Sequence, residues 1–203
     1  AIVSKPPAPA VAERVLAALK ASGKPSVVLF LGATASAPQA GKGAALRIAH
    51  TLVDCAAMAV RLAGAKRQAP AHYPLPRKPL FAKSQKYLRA LYAGGTFTAE
   101  AQSLWAQAGL KIWSNVPLDP ALELPNPRQA SREHSALDLG DDAFTVGRPH
   151  PMIDQAARIE RLMMEAADPS VRVILLDVVI GWGAHSNPAA ELANAIAQAK
   201  ALA

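Results

Sequence analysis

The densest group of residues that could do chemistry surrounds one histidine with proline on both sides. His150 lies between Pro149 and Pro151, and Arg148 precedes them. Proline fixes its own φ angle and disfavours helical geometry at the residue before it, so both Arg148 and His150 are predicted to be extended and rigidly presented. This arrangement suits an anionic ligand, with Arg148 holding the charge and His150 acting as an acid/base or a hydrogen-bond donor.

Carboxylates close to this segment supply both an orienting residue and an alternative interpretation. Asp138 is assigned a catalytic role because it could orient the arginine and the histidine. In the alternative, Arg148 pairs with Asp141 or Asp142. His150 then caps a neighbouring carbonyl, and neither side chain touches a ligand. Both interpretations stay open from the sequence.

Glycine turns form a second set of candidates. A helix N-terminus offers unpaired backbone N–H groups and the positive end of the helix dipole, and glycine lets an anion approach the backbone closely. The residues assigned to cofactor binding on this ground are Gly94, Gly95, Thr96, Gly140, Gly181 and Gly183. Neither a GxxxxGK[ST] phosphate loop nor a GxGxxG fingerprint occurs in the chain. Each glycine turn is therefore also explained by its place as a connection between elements of the fold, without a ligand.

Asp177 and His185 lie at the end of an apolar stretch. A charge within a buried strand costs several kcal/mol unless it is paired, so Asp177 needs a partner. It serves either as an acceptor for backbone N–H groups of a neighbouring loop or as a site residue. No metal site is assigned, because the acidic residues and histidines would converge only if their strands were neighbours.

The elements that would position these residues alternate between strand and helix. Continuous apolar runs at residues 26–31 and 171–180 are typical of strands buried on both faces of a parallel sheet. Helices are predicted over residues 41–64 and 85–92, and a further helix capped by Thr96 runs to about residue 108. Residues 135–139 are predicted as a strand that ends at Gly140, and Asn187 and Pro188 as the N-cap and first residue of a helix. The pattern predicts an α/β fold with parallel strands, helices on both faces, and ligands at the carboxyl ends of the strands.

Composition excludes several classes of protein. The 203 residues are 51% apolar and 18% charged, which is ordinary for a globular protein. The longest apolar run is far shorter than a membrane span. A single cysteine excludes an internal disulfide. We expect no signal peptide, because the first residues of the sequence lack the basic and apolar regions that one has. We therefore expect a cytoplasmic protein that does not enter a membrane.

The net charge of +7 is concentrated in one segment. Residues 61–89 hold eight basic side chains and no acidic one, interleaved with four prolines. We interpret this segment as a connector rather than a nucleic-acid footprint, so no nucleic-acid partner is expected. The chain also begins inside an apparent strand and ends on a helix with no strand after it, so we expect further domains of a longer protein.

Three stretches together resemble one family. They are residues 91–96 (LYAGGT), 138–154 (DLGDDAFTVGRPHPMID) and 174–179 (ILLDVV). In these stretches, and over nearly all 203 residues, the chain resembles the FdrA family. That family is similar to acyl-CoA synthetases of the NDP-forming type, which are related to succinyl-CoA synthetase.

The resemblance implies a domain organisation and a set of ligands. Residues 1–65 would be the end of an α-like ligase domain, residues 66–83 the connector, and residues 84–203 a β-like ligase-CoA domain. Each ligase domain would be flavodoxin-like, a three-layer αβα structure. CoA and a nucleotide, ADP or ATP, are the implied cofactors of the intact protein, and an acyl or carbamoyl phosphate is the implied anionic substrate.

Two departures from the family pattern bear on the chemistry. The loop at residues 32–43 aligns with the loop that carries the family's phosphohistidine, yet it contains no histidine. After Gly140, Asp141 and Asp142 place two carboxylates where a phosphate would be cradled, and like charges repel an anion. Binding there would need Arg148 or a metal as compensation.

Three hypotheses follow from the resemblance and its departures. The first is an acyl-CoA synthetase-like ligase domain. The second is a component of an oxamate carbamoyltransferase that uses carbamoyl phosphate. The third is a scaffold that keeps the ligase fold without the chemistry. The missing histidine favours the second and third, and the sequence leaves the formation of a homo-oligomer open.

Overall fold

Every pair of neighbouring strands in the described residues runs parallel. The computed structural model describes residues 1–32, 46–66 and 81–202. The chain divides into two units, Ala1–Lys78 and Pro79–Ala203. The predicted α/β fold with parallel sheets is confirmed. Among the helices of these described ranges, none combines the length and the apolarity that a membrane crossing needs.

The first unit holds a small parallel sheet with the strand order β1-β2-β3. Its elements are β1 (Ile2–Ser4), α1 (Pro9–Ala21), β2 (Ser26–Phe30), β3 (Leu46–Ile48) and α2 (Leu52–Leu62). Leu16, Val28 and Leu46 form its buried core. Cys55 is buried on α2, and burial raises the pKa of its thiol, as expected for a small core residue.

The single helix predicted over residues 41–64 is wrong. Leu46–Ile48 forms a strand that pairs with β2, and the helix begins only at Leu52, where the Thr51 side chain accepts a hydrogen bond from the Asp54 N–H at 3.1 Å. Alanine-rich composition favours a helix locally, but pairing with a neighbouring strand overrides that preference. Residues 33–45, which include most of the loop without histidine, lie outside the described residues.

The second unit has a four-stranded sheet with the order β5-β6-β4-β7. Its elements are β4 (Tyr87–Tyr92), α3 (Gly95–Gln107), β5 (Ile112–Trp113), β6 (His134–Asp138), α4 (Asp142–Thr145), α5 (Ala156–Ala166), β7 (Val171–Leu176) and α6 (Pro188–Leu202). Asn187 accepts a hydrogen bond from the Ala190 N–H at 3.3 Å and so caps α6 as predicted.

Helices cover both faces of this sheet. On one face Ala90 and Ala136 pack with Ala101 of α3. On the other face Leu91 and Leu137 pack with residues of α5 and α6. Successive strand residues point to opposite faces, so the alternation of Ala90 and Leu91 places α3 on one side and α5 and α6 on the other. The predicted three-layer αβα architecture is confirmed.

The predicted helix over residues 85–92 is wrong, since Tyr87–Tyr92 is a strand in the middle of the sheet. Leu91 pairs with Leu137 of β6 on one side and with Leu176 of β7 on the other. Leucine and alanine favour a helix when considered locally. Burial between two neighbouring strands decides the structure instead.

The apolar run at residues 171–180 is a strand, but it is not an interior one. The strand ends at Leu176 and forms one edge of the sheet. Val173 and Leu175 remain 37% exposed. The prediction of a strand buried on both faces is therefore wrong for β7, because sequence hydrophobicity does not reveal how many neighbours a strand has.

A buried ionic network joins α5 to β4. The Arg89 Nε lies 2.8 Å from Glu165 Oε2, and Arg89 Nη2 lies 3.1 Å from Asp168 Oδ2. Arg161 donates to Glu165 Oε1 at 2.7 Å. The two arginines and Glu165 are almost fully buried, so the charges are compensated inside the unit as burial demands.

The direction of the chain connections reverses between β4 and β6. From β4 the chain crosses over α3 to β5 at one edge, and from β6 it crosses over α5 on the opposite face to β7 at the other edge. In parallel sheets this reversal opens a crevice at the carboxyl ends of the two strands, where ligands bind. The turns after β4 and β6 therefore border this crevice.

Candidate functional site

The turn after β4 leads directly into α3. Gly94 occupies the N-cap position in extended geometry, with φ −170° and ψ 158°, and no side chain caps the helix. The prediction that Thr96 is the cap is wrong, because Thr96 lies within the first turn of α3. Gly94, Gly95 and Thr96 thus present backbone N–H groups at the positive end of the helix dipole.

The turn after β6 is held by Asp138 and Asn115. Asp138 Oδ1 accepts a hydrogen bond from the Gly140 N–H at 3.0 Å. The Asn115 side chain donates to the Asp138 carbonyl at 2.9 Å and accepts from the Asp138 N–H at 3.0 Å. The Asp138 side chain is buried. The hydrogen bond of Asp138 to the Gly140 N–H orients the Gly140 turn. Sequence reasoning missed Asn115, because it lies 23 residues before Asp138 in the chain.

His150 packs directly on the Gly140 turn. A Cβ built at Gly140 would lie 2.4 Å from His150 Nε2 and 2.6 Å from the Ala93 carbonyl oxygen. Glycine is required here by this close approach. His150 Nδ1 accepts a hydrogen bond from the Met152 N–H at 3.2 Å, so in the neutral imidazole the proton resides on Nε2. The structure therefore brings the Gly140 turn, the Gly94 turn and a histidine N–H donor together.

Arg148 forms an exposed ion pair with a residue of α5. Its Nη1 lies 2.8 Å from Glu160 Oε2 of α5, and the two side chains are 48% and 62% exposed. Asp141 instead accepts from the Ala143 N–H at 3.0 Å as the N-cap of α4. The expected pairing of Arg148 with Asp141 or Asp142 is therefore wrong, because Arg148 pairs with Glu160 instead. Arg148 contacts α5, whereas His150 packs on the Gly140 turn.

Asp177 links the turn after β4 to α5. Its Oδ1 accepts from the Ala93 N–H at 3.0 Å and from Arg158 Nη2 at 2.7 Å. Arg158 also donates to the Asp177 backbone carbonyl. Asp177 is thus an acceptor for the N–H of a neighbouring turn, one of the two roles expected from the sequence. Burial raises the pKa of Tyr92, and the negative charge of Asp177 raises it further.

Arg158 is the partner that sequence reasoning missed. Its side chain is fully buried on α5, and burial lowers the pKa of its guanidinium, opposed by the charge of Asp177. Two signals in the sequence bear on it: an aspartate in an apolar run requires a cation, and Arg158 lies one helical turn before Leu162 on the inward stripe of α5. Neither signal identifies this arginine among the many in the chain.

The loop after β7 carries Gly181 and Gly183 on either side of Trp182. Their φ angles are 142° and 80°, a region that favours glycine, so the backbone alone explains both residues. Trp182 is fully exposed. The His185 N–H donates to the Met152 carbonyl at 2.8 Å, which ties this loop to the loop that carries His150.

His185 makes local contacts. Its Nδ1 accepts from the Asn187 N–H at 3.1 Å, and its Nε2 lies 3.4 Å from Glu191 Oε1.

Across residues 1–32, 46–66 and 81–202, no group of three or more His, Cys, Asp or Glu side chains is arranged to hold a metal ion.

Comparison with known proteins identifies the family. The profile of the CoA-ligase family matches residues 91–203, which include the turns after β4, β6 and β7. YahF of Escherichia coli K12, an uncharacterised protein, is 40% identical over 210 aligned positions, which cover all of this chain and 40% of YahF. The chain thus spans well under half the length of this curated relative. The chain belongs to the CoA-ligase family and has its succinyl-CoA synthetase-like ligase fold.

Proposed function

We propose that the second unit binds an acyl phosphate in the crevice between β4 and β6, as part of an FdrA-like acyl-CoA synthetase. In the intact protein, an acyl-CoA, phosphate and a nucleoside diphosphate would be converted to the free acid, CoA and a nucleoside triphosphate. One observation supports this proposal above others. The Gly94 turn, the Gly140 turn and His150 meet where the strand connections reverse, in a chain of the CoA-ligase family.

The chemistry of the crevice suits a phosphoryl group. Backbone N–H groups at the start of α3 and the helix dipole favour negative charge. The His150 Nε2–H supplies a further donor near Gly140. The Asp141 carboxylate is turned to the start of α4, where it accepts from the N–H of Ala143. Because Arg148 is paired with Glu160 of α5, the proposed binding uses the backbone N–H groups and His150 rather than Arg148.

We propose that CoA and a nucleotide, ADP or ATP, act in the intact protein. The comparison with YahF leaves most of that relative's length outside this chain, and the additional segments would supply binding sites for the other reactants. Residues 1–65 would contribute an α-like ligase domain, residues 66–83 a connector, and residues 84–203 the β-like ligase-CoA domain.

Carbamoyl phosphate is the second candidate substrate, with oxamate as the acceptor of the carbamoyl group. The observation in its favour is that residues 32–43 contain no histidine. A phosphoryl relay through that loop would need one, whereas direct transfer from carbamoyl phosphate needs none. The crevice would bind either mixed anhydride through the same phosphoryl group.

Phosphorus NMR on the full-length protein separates the two reactions. In one sample ADP, phosphate and succinyl-CoA are supplied, and in another carbamoyl phosphate and oxamate. Appearance of ATP only with the acyl-CoA supports the ligase, and consumption of carbamoyl phosphate only with oxamate supports the transferase.

A His150→Gln variant should lose most of whichever signal appears, while a His50→Gln variant on the first unit should retain it. Equal activity of the two variants would remove His150 from the site. If neither reaction occurs, the proposal fails, and a scaffold that retains the ligase fold without its chemistry becomes the preferred interpretation.

A further inference from the structure

Arg158 and Asp177 form a buried ion pair next to the turn that starts α3. Their side chains are 0% and 10% exposed, and Arg158 Nη2 lies 2.7 Å from Asp177 Oδ1. Removing two charges from water is costly, and a buried pair often adds no net stability over apolar residues of similar volume. Stability alone is therefore a weak reason for this pair.

The pair fixes the backbone of Ala93. Asp177 Oδ1 accepts the Ala93 N–H at 3.0 Å. The carbonyl oxygen of Ala93 approaches the Gly140 turn so closely that it would lie 2.6 Å from a Cβ there. Ala93 is thus held on its amide side by Asp177 and on its carbonyl side by the turn after β6. The next residue, Gly94, is the N-cap of α3.

Arg158 in turn fixes Asp177. It donates to both the side chain and the backbone carbonyl of Asp177 and lies 3.5 Å from the carbonyl of Leu91 in β4. One guanidinium therefore joins the carboxyl ends of β4 and β7 to α5. It also compensates the charge of Asp177, so that a carboxylate close to α3 does not repel an anion.

We propose that Asp177 and Arg158 are positioning residues that hold the Ala93 amide, and through it the start of α3, for the anion of the proposed crevice. This inference rests on the proposed function. Asp177 sets the position of the turn, and Arg158 sets the position and the effective charge of Asp177. Neither residue touches the ligand.

Three variants and one matched control test the pair. Asp177→Ala removes the acceptor and the charge, Asp177→Asn keeps an acceptor oxygen without the charge, and Arg158→Met removes the cation. The control is Arg161→Met on the same helix, because Arg161 is also buried and paired but binds Glu165 rather than the turn after β4.

Acetyl phosphate binding to the 203-residue chain is the first measurement, by calorimetry. We expect Asp177→Ala to weaken binding about tenfold, the size expected for loss of a hydrogen bond to a charged group. Arg158→Met should weaken binding to a similar extent, Asp177→Asn less, and Arg161→Met should leave the dissociation constant unchanged. Equal losses in Asp177→Ala and Arg161→Met, or no loss in either, would overturn the inference.

Hydrogen exchange of the Ala93 amide, which donates to Asp177, is the second measurement, and it does not depend on a ligand. We expect exchange to accelerate at least about tenfold in Asp177→Ala and to stay unchanged in Arg161→Met. If the wild-type chain does not bind acetyl phosphate, the proposed function is wrong. The exchange rate of the Ala93 amide still tests whether Asp177 and Arg158 hold this turn. If Asp177→Ala does not fold, the same comparison is made with Arg158→Met, which removes the cation that holds Asp177, and exchange equal to that of the control would contradict the inference.

Discussion

The imidazole of His150 lies against Gly140 so closely that a methyl group at Gly140 would sit 2.4 Å from Nε2. This approach connects a proline-flanked loop to the carboxyl end of β6. It explains why the turn carries glycine without any need for a positive φ angle. The same approach places a histidine N–H donor beside the turn that the proposed phosphoryl group would contact.

Gly140→Ala should destabilise the protein. The new methyl group would clash with His150 and with the backbone oxygen of Ala93, and such overpacking costs about 1–3 kcal/mol. Urea unfolding followed by circular dichroism measures the loss. Gly94→Ala is the matched control, because its backbone is extended and nothing lies within 4 Å of the added group. That control should lose less than about 1 kcal/mol, and equal losses would contradict the packing of His150 on Gly140.

The neutral imidazole of His150 should carry its proton on Nε2. Nδ1 accepts the Met152 N–H at 3.2 Å, and a nitrogen that accepts a hydrogen bond cannot hold the proton. Nitrogen-15 correlation spectra of the ring, recorded above the pKa of an ordinary histidine, distinguish the two tautomers. A protonated Nδ1 would exclude the proposed donor role of His150 towards the crevice.

Arg148→Ala should have little effect on stability or on binding. Its partner Glu160 is exposed, and exposed ion pairs contribute about 0–1 kcal/mol. We expect the free energy of unfolding to change by less than about 1 kcal/mol and the affinity for acetyl phosphate to be unchanged, since Arg148 binds α5. A clear loss of affinity in a folded variant would restore the anion-holding role that the sequence suggested.

His134 should make the second unit less stable in mild acid. Burial lowers the pKa of His134 below its ordinary value, the charge of Arg89 lowers it further, and Glu133 opposes the shift. The folded state therefore favours the neutral ring, whose Nδ1 accepts the Leu88 N–H at 3.1 Å. As the pH falls below about 6.5, the unfolded chain takes up a proton first, and stability decreases towards the lower pKa of the folded state.

Urea unfolding at pH 7.5 and 5.5 checks this direction. His134→Asn keeps an acceptor for the Leu88 N–H but cannot titrate, so its stability should fall less between the two pH values than that of the wild type. His50→Asn is the control, because His50 is an exposed residue of the first unit. An unchanged pH dependence in His134→Asn would refute the assignment.

Local sequence patterns predicted those features that depend on near neighbours. Asn187 and Pro188 are predicted as the N-cap and the first residue of a helix, and α6 begins at Pro188 with Asn187 as its cap. Residues 135–139 are predicted as a strand that ends at Gly140, and the structure has a strand at His134–Asp138. The Gly94 and Gly140 turns were both predicted as candidates, because glycine before a helix is visible in the sequence.

The sequence by itself determined that this is an α/β protein with parallel strands and glycine turns before helices, because hydrophobic periodicity and glycine act over a few residues. Only the tertiary structure decided that Tyr87–Tyr92 is a central strand and that β7 is an edge. It also decided that Asp177 binds an amide 84 residues away. These features depend on which strands become neighbours, and that choice is made by packing across the whole unit rather than by local preference.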